Sequence, residues 1–518
     1  MVNLKSIFKR VGSATSLSSY GSNSSSDSST RSSLCSLNQE DLPSFAPYNR
    51  QEADMYRHRR QIGVNLGSIF ILDKQLALPS LLSCVVRDDW ESELDFLEAC
   101  MTEEQAREAL EDHWSSVVSE KDFEYLASIG INSVRVPIGY WIVGAFANTP
   151  FKKYEYVYQS AWKWLLRLIS KAAKHNIGVL VDLHGAPGGQ NNQSHSGTST
   201  HKTQFFKNSN QELTLIILRK LAVQLAPINN VIGLDILNEP LDETVSLQSF
   251  YLSAYKTIRQ ATPGILLPIY LSDAFNSKQY AEFVQHHSLK FVVLDIHYPF
   301  NKSKRPPARM NNRRSSLAAF NPAPSHLSSA EAKRHLSHAH LKQISHQLHG
   351  NLVIGEWSSS LEHVQDIKTI REFTQFQLDI YNDIEIGHYF WNYRTTSDGD
   401  CSSFVYCHKT RILPARYGTL GALLAQEASE LAKSKYNRCL SAASTAAGER
   451  EDQDFKQGFK AGFELALVYL VEYQAQIGFK RQLAHGHSRK RHPNYEKGFT
   501  SALYMVDQVA CECIADTN

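Results

Sequence analysis

From Gln61 to Arg394 short apolar runs alternate with longer stretches in which apolar residues recur every three to four positions. The runs are Ile62–Leu66, Ile131–Pro137, Gly178–Leu183, Ile232–Leu237, Leu266–Leu271, Phe291–Ile296, Leu352–Gly355 and His388–Trp391. Between them lie amphipathic stretches such as Glu120–Ile129, Ser160–His175, Glu212–Leu225 and Leu247–Ala261. Continuous apolar runs are what strands buried on both faces require, and their alternation with helical periods predicts βα units around a parallel sheet. Eight such units over this length fit an α/β fold, a (β/α)8 TIM barrel with insertions; an open doubly wound sheet is the structural alternative.

Outside the barrel the pattern changes. Fourteen of the 31 positions from Ser6 to Ser36 are Ser, too few apolar groups to offset the entropy of ordering, so residues 1–50 are expected to form a disordered tail. Residues 51–435 are assigned to the barrel, with a basic, Pro- and Ser-rich insertion at 301–350 that turns helix-like from about Ser328 and includes the Arg313-Arg314-Ser315-Ser316 segment. Residues 436–518 form a helical extension in which the Phe455–Ala461 pattern is echoed by Tyr495–Ala502, and small residues such as Gly458, Ala461 and Gly462 would allow close helix contact. The basic stretch from Lys480 to His492 reads as a solvated turn between the two helices.

Composition narrows the function classes. Fifty-four basic against 52 acidic residues leave a net charge of +2, which lacks the basic face a nucleic-acid binder needs. No apolar run is long enough to span a bilayer, and Met1–Gly12 lacks the continuous apolar core of a secretory signal. Eight scattered Cys without export point to reduced thiols and a cytoplasmic location, with Cys511 and Cys513 lacking zinc-site spacing. Leu4, Ile7, Phe8 and Val11 share one helical face among Lys5, Lys9 and Arg10, which offers weak contact with an anionic membrane surface; a short unfolded basic tail is the competing reading. No cofactor is implied: no Gly-rich loop ends in the Lys-Ser/Thr of a phosphate site, and His335, His338, His340, His346 and His349 do not fall in a metal-ligand pattern.

The candidate chemistry lies at the ends of the runs, in Asn65, Arg135, Asp182 with His184, Asn238 with Glu239, Ser272 with Asp273, His297, Glu356 and Trp391. The C-terminal strand ends of a parallel barrel meet at one face, so these scattered residues would converge there. Glu239 follows the fourth run in Asn238-Glu239-Pro240, and Glu356 follows the seventh in Gly355-Glu356-Trp357. Two carboxylates facing each other across a barrel mouth are the arrangement glycoside hydrolysis needs, one bearing a proton and one ionised. Two ordinary surface glutamates would be the bland alternative.

His113-Trp114, Ser119–Phe123, Gly130–Trp141, Asp182–Asn191 and the two glutamate motifs, in this order from about Gln61 to Tyr393, closely resemble the fungal exo-β-1,3-glucanases of glycoside hydrolase family five. The resemblance implies a cellulase-clan barrel and a retaining double displacement, with Glu239 as acid/base and Glu356 as nucleophile. It further implies Arg135 beneath the nucleophile, Asn238 on the sugar 2-hydroxyl, His184 and Asn191 as polar pocket residues, and Trp391 as the ring on which the sugar stacks; an ordinary buried salt bridge for Arg135 and a core Trp are the competing readings. His297 and Tyr298 are further substrate-binding candidates, although family members carry His-x-Tyr where this chain has His297-Tyr298-Pro299. The segment Arg394–Lys409 also departs from the family's subsite loop, and the missing export signal points to an intracellular branch with a helical C-terminal extension. The expected substrate is a carbohydrate, β-1,3-glucan or a short β-glucoside. Sterol or sphingolipid glucosides are the alternative within enzymes, and a non-catalytic glycan-binding barrel is the alternative outside them.

Overall fold

The computed structural model describes residues 42–297 and 329–515, apart from 77–80, 145, 362–363, 398, 416, 418–421, 450–451 and 490. The Ser-rich tail to residue 41, its Leu4–Val11 face, Tyr298 and positions 301–328 with Arg313–Ser316 lie outside the described residues. Among the described residues no helix is long and apolar enough to cross a membrane.

Eight parallel strands close into a barrel in sequence order: β1 (Ile62–Asn65), β2 (Ser133–Gly139), β3 (Gly178–Gly185), β4 (Val231–Asp235), β5 (Ile269–Ser272), β6 (Val292–His297), β7 (Leu352–Trp357) and β8 (Gly387–Phe390). Every predicted run overlaps one of them, with ends displaced by at most three residues. Each crossover carries at least one helix, so both strand faces are covered, which is why the strands read as continuous apolar runs rather than as alternations. The helix Ala161–Lys174 shows how: Leu165, Leu168, Ile169 and Ala172 recur at helical spacing and are buried. Between β6 and β7 the crossover helix is Ser329–Gln347, so the later part of the expected insertion is the barrel's own sixth helix.

The interior is layered. Leu180, Ile232, Tyr270, Val293, Val353 and Tyr389 form an apolar cluster inside the sheet, continued by Tyr56, Phe291 and Phe479. Gly63 and Gly233 make room for its two large rings, since a Cβ at either would collide with Tyr389 or Tyr270. Above that layer the side chains turn polar: Arg135, Asp182, Asp235 and Asp295 are all fully buried.

Two outer segments close the opposite, N-terminal face. Residues 42–50 are structured, in contrast to the expected tail: Leu42 and Phe45 pack on the core, and Asn49 caps the helix Arg50–His58 by accepting from the Gln51 and Glu52 amides. Composition missed this because a short segment can borrow its burial from a core made elsewhere. Arg57 and Arg60 then donate to carbonyls at the feet of the barrel, Val231 and Ala226 for Arg57, Ile386 and Tyr381 for Arg60. The C-terminal helices Ala422–Ala446, Gln453–Tyr473, Lys480–Ser488 and Pro493–Ala515 share a second apolar core. The expected boundary at 436 falls inside the first of these, which runs on without a break.

The echoed glycines work as anticipated. Gly458 and Gly462 sit against the backbone at Tyr495 and Phe499, and Gly498 against Phe455, so that no side chain would fit between the helices. The basic stretch is a correction: Lys480 opens a helix and is buried, pairing with Asp507 at 2.6 Å and Glu385 at 2.8 Å. A run of charges reads as solvated only until a buried carboxylate claims one of them, and Asp507 lies 27 positions downstream.

Candidate active site

Arg135 projects from the middle of β2 into the polar layer. Its Nη1 donates to Asn65 Oδ1 at 3.1 Å and to Glu356 Oε1 at 2.9 Å, while Nη2 donates to Asp235 Oδ2 at 2.9 Å and Asn238 Oδ1 at 2.8 Å. Asp182 lies 3.1 Å from the same nitrogen and Asp295 3.7 Å from Nε. A guanidinium is the one side chain that can present this many donors in a rigid plane while staying charged. One end of it orients a strand-tip carboxylate; the other is anchored by acids that never see solvent.

Glu356 is reached through a register shift. Between β6 and β7 the pairing slips after Ile296, which sets His297 beside Glu356. His297 Nδ1 donates to Glu239 Oε1 at 2.7 Å and lies 3.7 Å from Glu356 Oε2, with Nε2 3.6 Å from Asp295. Burial disfavours charge on this imidazole, but Glu356 and Asp295 outweigh it and lift its pKa well above the usual histidine value. It is therefore an imidazolium bridging both glutamates. Burial raises Glu356, opposed by the charges of His297 and Arg135. Burial and the neighbouring Asp182 push Asp235 up, whereas His297 and Arg135 overcome burial and hold Asp295 low. Five carboxyl groups thus share two cationic partners, Arg135 and His297.

Glu239 stands beyond the end of β4, on a short extension tied to its neighbours by Ile236 N donating to Tyr270 O and Asn238 N to Leu183 O. Its φ of +42° lies in the left-handed region, a conformation that costs a side-chain-bearing residue about 1–2 kcal/mol. The surroundings hold it there: Asn191 Nδ2 donates to the Glu239 carbonyl at 3.0 Å and Gln190 Nε2 to the Asn238 carbonyl at 3.0 Å. Asn191, expected as a pocket residue, therefore spends its amide on the backbone of Glu239, and its Oδ1 accepts from Gln193 N.

The other candidates converge on the same mouth. His184 Nδ1 donates to Asp182 at 2.8 Å, which leaves Nε2 to accept from Asn238 Nδ2 at 3.4 Å. Trp391 lies nearly parallel to His184, with ring centroids 5.9 Å apart and an 8° interplanar angle, and it is half-buried. Among the described residues Glu239, His297 and Glu356 also form the one set of metal-type ligands, with atoms within 4.8 Å of one another. Arg135, 2.9 Å from Glu356, opposes a second cation there, so the donor set fits a proton-transfer pair better than a metal.

Reading along the chain missed Asp295, Asp235 as a site acid, Gln190 and His195. Asp295 had a signal in Asp295-x-His297, which repeats Asp182-x-His184, since residues two apart on a strand share a face; Asp235 had none. His195 had none: it lies on the loop after β3, with Nε2 3.7 Å from Glu239 Oε2. That loop rests on Trp141, whose Nε1 donates to buried Glu93, which also accepts from Tyr158 OH and Leu72 N. Burial lifts the Glu93 carboxyl to about 7, against the pull of these donors. Its folded pKa is above the unfolded value, so its contribution to stability is full below about pH 4.5 and is lost as pH rises through about 7. Glu93→Gln is expected to flatten the fall in unfolding free energy between pH 5 and 8 by about 3 kcal/mol, measured by urea titration; an unchanged slope would refute the assignment.

Comparison with known proteins agrees with this geometry. Residues 101–397, more than half of the chain, match the family model for cellulase (glycosyl hydrolase family 5). The chain is 31% identical over 360 residues to glucan 1,3-beta-glucosidase 3 of Schizosaccharomyces pombe, covering 66% of this chain and 70% of that protein. It is 33% identical over 275 residues to an uncharacterized glycosyl hydrolase of Saccharomyces cerevisiae, covering 49% of this chain and 54% of the relative. The fold is also that of the rutinosidase from Aspergillus niger, at a TM-score of 0.51 and 16% identity over 67% of this chain and 93% of that one. An eight-stranded barrel with paired glutamates at its mouth, matched by the family model across most of the strands, leaves one assignment: the chain belongs to glycosyl hydrolase family 5 and is a glycoside hydrolase.

Proposed function

We propose that the protein is a retaining β-glucosidase acting on β-1,3-linked glucan or short β-glucosides, with Glu356 as nucleophile and Glu239 as acid/base. The observation that carries this reading is that a carboxylate oxygen of each glutamate and the His297 imidazole lie within 4.8 Å of one another. Retaining enzymes hold their carboxyls about 5–5.5 Å apart, whereas inverting ones need about 6.5–9.5 Å to admit a water. Arg135 occupies Glu356 Oε1, which leaves Oε2 to attack the anomeric carbon. Glu239 gives its proton to the departing oxygen, then takes one from the water that releases the sugar. The linkage rests on the name of the S. pombe relative, and the half-buried Trp391 ring at the mouth supports a stacked sugar.

Two measurements test the reading together. A 2-deoxy-2-fluoroglucoside with a good leaving group is expected to label Glu356 stoichiometrically, since only an active nucleophile traps the sugar. Oligosaccharides with β-1,3 links are expected to be hydrolysed faster than their β-1,4 and β-1,6 counterparts. Absence of label would mean a barrel that binds glycans without cleaving them, and activity confined to sterol or sphingolipid glucosides would overturn the substrate.

A further inference from the structure

We propose that His195 is a positioning residue for the acid/base carboxyl, holding the rotation of Glu239 so that its proton faces the departing glycosidic oxygen. The inference rests on Glu239 being the acid/base. The carboxyl is flanked by an imidazole at each oxygen: His297 Nδ1 is 2.7 Å from Oε1, and His195 Nε2 is 3.7 Å from Oε2. Because His297 donates to Oε1, the proton of the acid form belongs on Oε2, the oxygen that faces His195. In the step itself the Oε2–H bond breaks as the proton moves to the glycosidic oxygen, the bond from that oxygen to the anomeric carbon breaks, and Glu356 Oε2 bonds to the same carbon.

The placement of His195 is built. It sits in a single 3-10 turn, Ser194–Ser196, closed by Ser196 N donating to Gln193 O and Gly197 N to Ser194 O. Gly197 has φ +95° and lies so close to the Trp141 ring that a Cβ would collide with it, and its carbonyl accepts from Leu94 N. Gln193 N in turn donates to Asn191 Oδ1, and Asn191 holds the Glu239 carbonyl. One short loop therefore grips the backbone of Glu239 through Asn191 and faces its side chain through His195. The imidazole also packs on His184, with ring centroids 5.0 Å apart, in a row that continues to Trp391. With 25% of its side chain exposed, against 6% for His297, it stands on the solvent side of the acid, where an aglycone leaves.

Leaving-group dependence is the test, because a poor leaving group needs the acid and 2,4-dinitrophenolate does not. His195→Ala is expected to lower kcat/KM for laminaribiose by about 10- to 100-fold, part of the 10²–10⁴ that general acid catalysis supplies, and to lose far less on 2,4-dinitrophenyl β-glucoside. His195→Asn, which keeps a polar group on the loop, is expected to recover part of the laminaribiose activity. Equal losses on both substrates would reduce His195 to a structural role, and no loss on either would remove it from the reaction. Glu239→Ala measured beside it separates the two levels. If Glu239→Ala shows the split and His195→Ala does not, only the inference about His195 falls; if Glu239→Ala shows no split, the acid/base assignment falls with it.

Discussion

Glu356→Ala is expected to slow hydrolysis of an aryl β-glucoside by roughly 10⁴-fold or more, the scale seen when a covalent nucleophile is deleted. Arg135 Nη1 holds Glu356 at 2.9 Å and aims its second oxygen at the mouth, so the loss falls on a bond made only in the reaction. The outcome has a stereochemical signature. With azide added and 2,4-dinitrophenyl β-glucoside as substrate, the small anion enters from the vacated face and yields the α-glucosyl azide. Deleting Glu239 leaves the nucleophile in place, so azide intercepts the covalent intermediate and yields the β-product. A Glu356→Ala enzyme that turned over at the wild-type rate, or gave the β-azide, would show that another group attacks the sugar.

The second large effect concerns stability. Arg135→Met is expected to destabilise the fold by about 3–5 kcal/mol, because it leaves several buried carboxyl groups without their shared cation. Asp182, Asp235 and Asp295 are each 0–1% exposed and cannot turn to water for compensation. Urea titration at neutral pH is the measurement, and part of the loss should return at low pH, where the stranded acids are neutral. Arg135→Lys keeps the charge but not the fork, so it should recover some stability and little activity. An Arg135→Met protein unfolding at the wild-type urea concentration would mean that the aspartates carry their protons already and that the arginine serves alignment alone.

The two predictions draw on residues that were legible to different degrees. Glu239, Glu356, Asn238 and Arg135 stand out along the chain because each ends or interrupts an apolar run, where a polar or charged group is costly to bury and so demands a reason. Their convergence also followed, since parallel strands point every C-terminal end to one face. What each residue does once there was less legible. Asn191 stands where it was expected but acts differently, giving its amide to the Glu239 backbone because the left-handed φ of that residue needs an anchor. Lys480 shows the same limit at the other end of the barrel, since its burial depends on Asp507 and Glu385, neither of which is near it along the chain.

By itself the amino-acid order determined that this is a parallel barrel with two acids at its mouth and a Gly-notched helical hairpin behind, because periodicity, strand ends and small residues act through near neighbours. Only the tertiary structure decided that one guanidinium gathers four carboxyl groups from separate strands, that His297 bridges both glutamates across a register shift, and that His195 faces the acid from a loop. Those facts are distances of a few ångströms between groups up to 221 positions apart, and no local pattern encodes a distance of that kind.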